Sequence, residues 1–206
     1  MTANVVILDY GSGNLRSAER AVARTGADVT VTSDLSLAAE ADGLVVPGVG
    51  AYAACMAGIV GLNAGPMIAD RVAAGRPVLG ICVGMQILFE SGVEHGVETK
   101  GLGLLPGSVT KLSAERIPHM GWNTVDVPEG SRLLAGLAAD TRFYFVHSYA
   151  AQDLDLLKGA RVTTAAHDLP FAAVVEAGAL SAAQFHPEKS ADAGFGLLSN
   201  WVATLT

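Results

Sequence analysis

The segment PVLGICVGMQILFE, residues 77–90, runs from an apolar strand pattern through Gly80-Ile81-Cys82-Val83-Gly84 into a helix pattern. Glycines two positions to either side of a cysteine, at a strand-to-helix junction, make the thiol counterpart of a nucleophile elbow. Small flanking residues let the chain turn sharply and push the side chain out above the sheet. There the Cys82 sulfur meets the positive end of the following helix, which favours thiolate, and the Val83 N–H points where an oxyanion forms. An arbitrary cysteine at a strand end is ordinarily a small buried hydrophobe; the two glycines turn the reading toward a nucleophile. Cys55, in the helical run AYAACMAGIV, has no such setting and reads as packing.

Outward from this segment, the first half alternates short β-rich runs with helical ones. Strands are expected at 4–9 (NVVILD), 28–32, 43–46 and 77–81; Leu15, Ala18 and Val22 lie at helical spacing, with a stop at Gly26. Such alternation predicts a parallel sheet with right-handed crossovers and helices on both faces. A functional site then belongs at the carboxyl ends of the strands. Beyond the glycine-rich segment 101–107 the strands come closer together, at 109–112, 122–127, 142–146, 161–166, 171–176 and 179–184, so part of the second half is expected to be antiparallel. Residues 194–205 close the chain as an amphipathic helix.

The 206 residues are half hydrophobic, enough for one good core, and 1–206 is expected to be a single domain. A net charge of −7 with scattered Lys and Arg argues against nucleic acid. No apolar run approaches the ~18 residues of a membrane span, and no leader pattern precedes the first strand, so a soluble cytoplasmic protein is expected. Two cysteines in different settings suggest neither a disulfide framework nor a Cys-x-x-Cys site.

A thiolate nucleophile needs a base, and the base an orienting group. Of five histidines, His186 stands out: it follows the apolar run ALSAAQF and sits in His186-Pro187-Glu188. The proline keeps this segment extended, so imidazole and carboxylate point to one side and Glu188 can fix the ring's tautomer. His95 falls in a polar loop, His167 near a turn before Pro170, and His147 at a strand end, where packing or loop anchoring is the default. Nothing suggests a zinc set, and no metal is expected. Pro47-Gly48-Val49-Gly50 follows the third strand; its mobile backbone at Val49 and Gly50 supplies a second half of an oxyanion hole.

The elbow GICVGMQ at 80–86 together with QFHPE at 184–188 resembles the class I (triad) glutamine amidotransferases, over essentially the whole chain. Within them, DYGSGNL at 9–15, PGVG at 47–50, PHMGWN at 118–123, FVHSY at 145–149 and Lys189-Ser190 are similar to the glutaminase subunits of imidazole glycerol phosphate synthases. The resemblance implies a flavodoxin-like three-layer α/β fold, with a mostly parallel central sheet and a second, antiparallel portion. It implies no cofactor. It further implies that Cys82 attacks the glutamine amide, His186 moves protons and Glu188 holds His186, through a γ-glutamyl thioester. It likewise implies that Val83 and Val49 N–H groups stabilise the oxyanions and that Gln86, Ser148 and Tyr149 cradle glutamine. Val83 stands where leucine is common in similar proteins, a small departure because the contribution is a backbone N–H.

With the glutaminase core assigned, the sequence leaves no room for an acceptor domain, so the ammonia is expected to pass through a sheltered route to another polypeptide. The resemblance implies a (β/α)₈-barrel cyclase. Asn14, Arg16, Trp122, Asn123 and Lys189 are the expected contacts, with Trp122 on a projecting loop, although a tryptophan in WNTVDV is more often core. The competing readings are a glutaminase serving another pathway such as pyridoxal phosphate synthesis, a freestanding thiol hydrolase, and a noncatalytic module on the same fold.

Overall fold

The structure is a computed structural model describing residues 2–205. Three runs dominated by Val, Leu and Ile form its centre: β1 (Asn4–Leu8), β3 (Gly43–Gly48) and β4 (Val78–Cys82). Every residue of β3 and β4 is buried. Because alternate side chains of a strand point to opposite faces, burial at every position requires cover on both faces, which explains the unbroken apolar runs.

With β2 (Asp28–Thr32) and β13 (Leu180–Ala183) these strands form a parallel array, and β12 (Leu169–Ala177) and β11 (Arg161–His167) extend it antiparallel. The order is β11-β12-β13-β4-β3-β1-β2. Around it, α1 (Leu15–Ala23) packs on α6 (Ala191–Val202), while α2 (Leu35–Glu40) and α3 (Tyr52–Gly61) pack on α4 (Ala64–Ala73). The sequence reading passed over α2, which begins where the Asp34 carboxylate accepts from the Ser36 and Leu37 N–H groups. No single helix among the described residues is long and apolar enough to cross a membrane.

The register closes a gap of a hundred positions. β3 pairs with β4 so that Gly48 faces Cys82, and β13 pairs with β4 so that Ala183 faces Ile81. The chain leaving β13 therefore carries Gln184 and His186 past the sulfur of Cys82. Parallel pairing makes all three strands end on one edge of the sheet.

Four features depart from the sequence reading. After Cys82 the helix α5 is one turn long (Val83–Gln86), and β5 (Phe89–Glu94) begins where a helix was expected to continue. A short apolar run such as Ile87-Leu88-Phe89 suits a buried strand as well as a buried helix. Second, β5 and β6 (Val97–Lys100), β7 (Leu105–Lys111) and β10 (Tyr149–Ala151) form a separate sheet ordered β10-β7-β5-β6, in which β5 and β7 run parallel. Third, the expected strand at 122–127 is β8 (His119–Thr124), paired antiparallel with β9 (Arg142–His147) from His119↔His147 to Thr124↔Arg142. Fourth, Trp122 stands in this ribbon rather than on a loop; it is 50% exposed, with one edge against Tyr144. Met120 is exposed beside it, because alternate β8 side chains point outward.

Candidate active site

The elbow is built by backbone contact. Cys82 adopts φ 55°, ψ −115°, a conformation that costs a non-glycine residue about 1–3 kcal/mol. The surrounding chain holds it there. A Cβ on Gly84 would lie 1.9 Å from the Val46 carbonyl oxygen, and one on Gly80 would lie 2.7 Å from Leu88 Cδ1 and 2.8 Å from the Gly84 carbonyl oxygen. Both glycines are thus required by close approach, which lets α5 sit on the ends of β3 and β4. The helix-dipole contribution expected at the sulfur is correspondingly small, since α5 has a single turn.

A cavity of about 250 Å³ opens over the elbow, lined by Cys82, Val83, His186, Gln86, Val49 and Gly50 on one side. Val146, His147, Ser148, Tyr149, Glu94 and Lys189 line the rest. His186 Nδ1 lies 2.7 Å from Glu188 Oε1, with both side chains almost wholly buried. This engages Nδ1 and leaves Nε2 for the sulfur. Burial alone would lower the His186 pKa, but interactions with Cys82 and Glu188 outweigh it and push it up to about 9. The imidazole is therefore held protonated at neutral pH beside the sulfur. Among the described residues, Glu188 Oε2 has no hydrogen-bond partner.

Sequence reasoning missed four participants. Gln184 Nε2 points at Cys82 Sγ across 3.9 Å, and its Oε1 accepts from Gln86 Nε2 at 2.9 Å. Glu94 brings a carboxylate to the cavity wall while accepting from the Tyr52 N–H. His147, read as packing, lines the cavity and bonds to His119. Cys55, also read as packing, is fully buried, but its sulfur lies 3.2 Å from Ser12 Oγ and donates to the Val49 carbonyl. Apart from the Cys55–Val49 bond, these contacts join elements far apart in the chain and leave no local sequence signature.

The second half of the expected oxyanion hole is occupied otherwise. The Val49 N–H donates to Ser12 Oγ at 3.2 Å, and Ser12 Oγ returns a hydrogen bond to the Val49 carbonyl at 3.0 Å. Gly50 follows at φ 82°, a conformation open to glycine. Of the expected contact residues, Lys189 borders the cavity, Asn14 and Arg16 are exposed at the start of α1 with Arg16 paired to Glu19, and Trp122 and Asn123 lie on β8. Among the described residues no group of three or more His, Cys, Asp or Glu could hold a metal ion.

Comparison with known proteins decides the family. The profile of "Glutamine amidotransferase class-I" matches residues 6–202. The chain belongs to the class-I glutamine amidotransferases. Among curated relatives, "Imidazole glycerol phosphate synthase subunit HisH" of Mycobacterium bovis is 64% identical, over 98% of this chain and 98% of that protein. The protein of the same name from Thermobifida fusca is 61% identical over the full length of both. Solved amidotransferase structures share the fold at low identity: a "putative gmp synthase subunit a protein" from Thermoplasma acidophilum superposes with a TM-score of 0.75 at 21% identity, covering 100% of this chain and 94% of that one. As a class-I glutamine amidotransferase, this chain is an enzyme that takes ammonia from the side-chain amide of glutamine.

Proposed function

We propose that this chain is the glutaminase subunit of an imidazole glycerol phosphate synthase. It hydrolyses glutamine to glutamate and ammonia and supplies the ammonia to a separate (β/α)₈-barrel cyclase, which forms imidazole glycerol phosphate and an aminoimidazole carboxamide ribotide in histidine biosynthesis. The full-length likeness to HisH proteins supports the pathway. The observation that carries the chemistry is the meeting of strained Cys82 with the buried His186–Glu188 pair at one cavity.

In this reading the Cys82 sulfur attacks the carboxamide carbon of glutamine. The oxyanion accepts from the Val83 N–H, and His186 delivers its proton to the departing nitrogen, so ammonia leaves and a thioester remains. His186, now neutral, takes a proton from water; the hydroxide adds to the thioester, and collapse returns glutamate and the thiolate. Glu188 keeps the Nδ1 proton of His186 in place throughout. Gln86, Ser148 and Tyr149 hold the amino-acid end of the substrate, and the Glu94 carboxylate supplies a counter-charge for its ammonium group.

Full oxyanion stabilisation requires the Val49 peptide to leave Ser12 and turn its N–H toward Cys82, a rotation that Gly50 permits. Docking of a loaded cyclase against Asn14, Arg16, Trp122, Asn123 and Lys189 drives it, so the isolated subunit has little activity. Lys189 pairs with an acid on the barrel. Residues 1–206 act as one domain, in the cytoplasm. Incubation with a glutamine-like electrophile followed by peptide mass spectrometry tests the assignment: a single adduct on Cys82 is expected. An adduct confined to Cys55, or unlabelled Cys82 in a preparation that turns over glutamine, contradicts it.

A further inference from the structure

The buried side chains between the cavity and β8 make one continuous hydrogen-bonded chain whose polarity is set by a single atom. The Tyr149 carbonyl oxygen can only accept. It takes hydrogen bonds from Gln86 Nε2 at 2.9 Å and from His147 Nδ1 at 3.0 Å. The first contact fixes the Gln86 amide: the second Nε2 hydrogen reaches Gln184 Oε1, so Gln184 must turn its own Nε2 toward the Cys82 sulfur. Gln86 is left with Oε1 as the group it can offer a ligand.

The second contact fixes two histidines. With Nδ1 donating to Tyr149, neutral His147 has Nε2 as an acceptor, and His119 Nδ1 supplies the proton at 3.0 Å. Neutral His119 then accepts at Nε2 from Asn123 Nδ2 at 3.2 Å, and the other Asn123 hydrogen goes to the Ala166 carbonyl. Both rings are held neutral: burial above all, and then the neighbouring His167, push His119 down to about 4; burial, despite the Tyr149 bond, pushes His147 down to about 3. The charged or titratable neighbours are His167 of β11, stacked on His119 at 4.5 Å, and His186 near His147. One tautomer assignment satisfies every link.

We propose that His119 and His147 are positioning residues: through the Tyr149 carbonyl they hold the Gln86–Gln184 amide pair beside Cys82 and couple it to β8 through Asn123, the chain neighbour of Trp122, which is exposed on the opposite, outward face. The coupling rests on the reading of that face as the cyclase contact. A change at β8 that displaces Asn123 is transmitted through two rigid rings to the floor of the glutamine cavity. His147 controls the cradle directly, and His119 controls whether the cradle senses β8.

The test is glutamine KM and kcat in the assembled synthase, with and without the cyclase's ligand, for His147→Phe, His147→Asn and His119→Phe. Ammonia-dependent synthesis and circular dichroism report assembly and fold. His147→Phe, which strips the donor from Tyr149, is expected to raise glutamine KM about tenfold. His147→Asn can restore a donor to Tyr149 without reaching His119. It is expected to return KM to within about threefold of the parent while, like His119→Phe, reducing ligand stimulation of kcat by about tenfold. Unchanged KM in His147→Phe overturns the cradle role, and unchanged stimulation in the other two overturns the coupling. A lowered melting temperature with both kinetic readouts unchanged makes the pair mere packing. Should His147→Phe fail to fold, His147→Asn and His119→Phe, which keeps a ring between Phe145 and His167, still decide the coupling. Trp122→Ala isolates the underlying reading: undiminished affinity for the cyclase refutes β8 as the contact, and the KM comparison still judges the cradle role.

Discussion

Replacing Glu188 with glutamine removes one charge from the site and nothing else of its size. His186 is raised from 6.5 to about 9 against the effect of burial, which corresponds to about 3 kcal/mol favouring the charged ring. Cys82 and Glu188 share that sum, and the 2.7 Å contact in a buried setting leaves little solvent screening. In Glu188→Gln the ring loses its anionic partner, and burial, the largest opposing cause, draws its pKa back down. The new amide also has no good orientation. If its oxygen faces Nδ1, the NH₂ occupies the place of Glu188 Oε2, which has no partner among the described residues, at about 1–3 kcal/mol. If its NH₂ faces Nδ1, the ring must carry its proton on Nε2 and cannot accept one there, a tautomer error that costs up to about 10⁴ in kcat in the serine proteases. Glutamine-dependent synthesis by Glu188→Gln is therefore expected to fall by about a hundredfold or more, with ammonia-dependent synthesis kept and a lower His186 pKa in a ring-nitrogen NMR titration. Turnover within about threefold of the parent, with the His186 titration unmoved, refutes the reasoning.

Gly84→Ala places a methyl 1.9 Å from the Val46 carbonyl oxygen, backbone against backbone; misfolding, or a loss of several kcal/mol in chemical denaturation, is expected. A variant as stable as the parent contradicts the elbow packing. Stability should also depend on pH through the histidines in two directions. His119 and His147 have folded pKa values of about 4 and about 3 against 6.5 unfolded, so the unfolded chain takes up protons first and their contribution, complete above 6.5, is lost as pH falls. His186, at about 9, contributes fully below 6.5 and loses its share as pH rises through 9. Thermal melts should peak between these limits, and the acid limb should flatten in His119→Phe; a parallel acid limb in that variant contradicts the assignment.

The sequence revealed most where the physics is local. Unbroken apolar runs at β1, β3 and β4 announced a sheet covered on both faces, and two close-packed glycines announced the turn at Cys82. His186 and Glu188 were legible as a pair from their spacing, but for a different reason than the extended segment expected: Pro187–Lys189 form a single 3-10 turn, and that turn brings the Glu188 carboxylate back to the ring. What brings them to Cys82 is the parallel register of β13 on β4, which no spacing along the chain displays. The one-turn helix and the strand at Phe89 escaped because a short apolar run serves either structure. Gln184, Glu94, His147 and the contact of Cys55 with Ser12 escaped because their partners lie on other elements, and a polar side chain's role is set by what it faces. Trp122 was correctly read as exposed but wrongly placed on a loop; in β8 its orientation follows from the two-residue alternation that buries His119.

Cys82 is the nucleophile on which the proposed chemistry depends, and the direct measurement is product formation by the reconstituted synthase carrying Cys82→Ala. With glutamine as nitrogen donor no product should form, and with ammonium salts at alkaline pH the rate should equal that of the parent complex. Glutamine-dependent product from the variant, or loss of the ammonia-dependent rate in a complex that still assembles, contradicts the central claim.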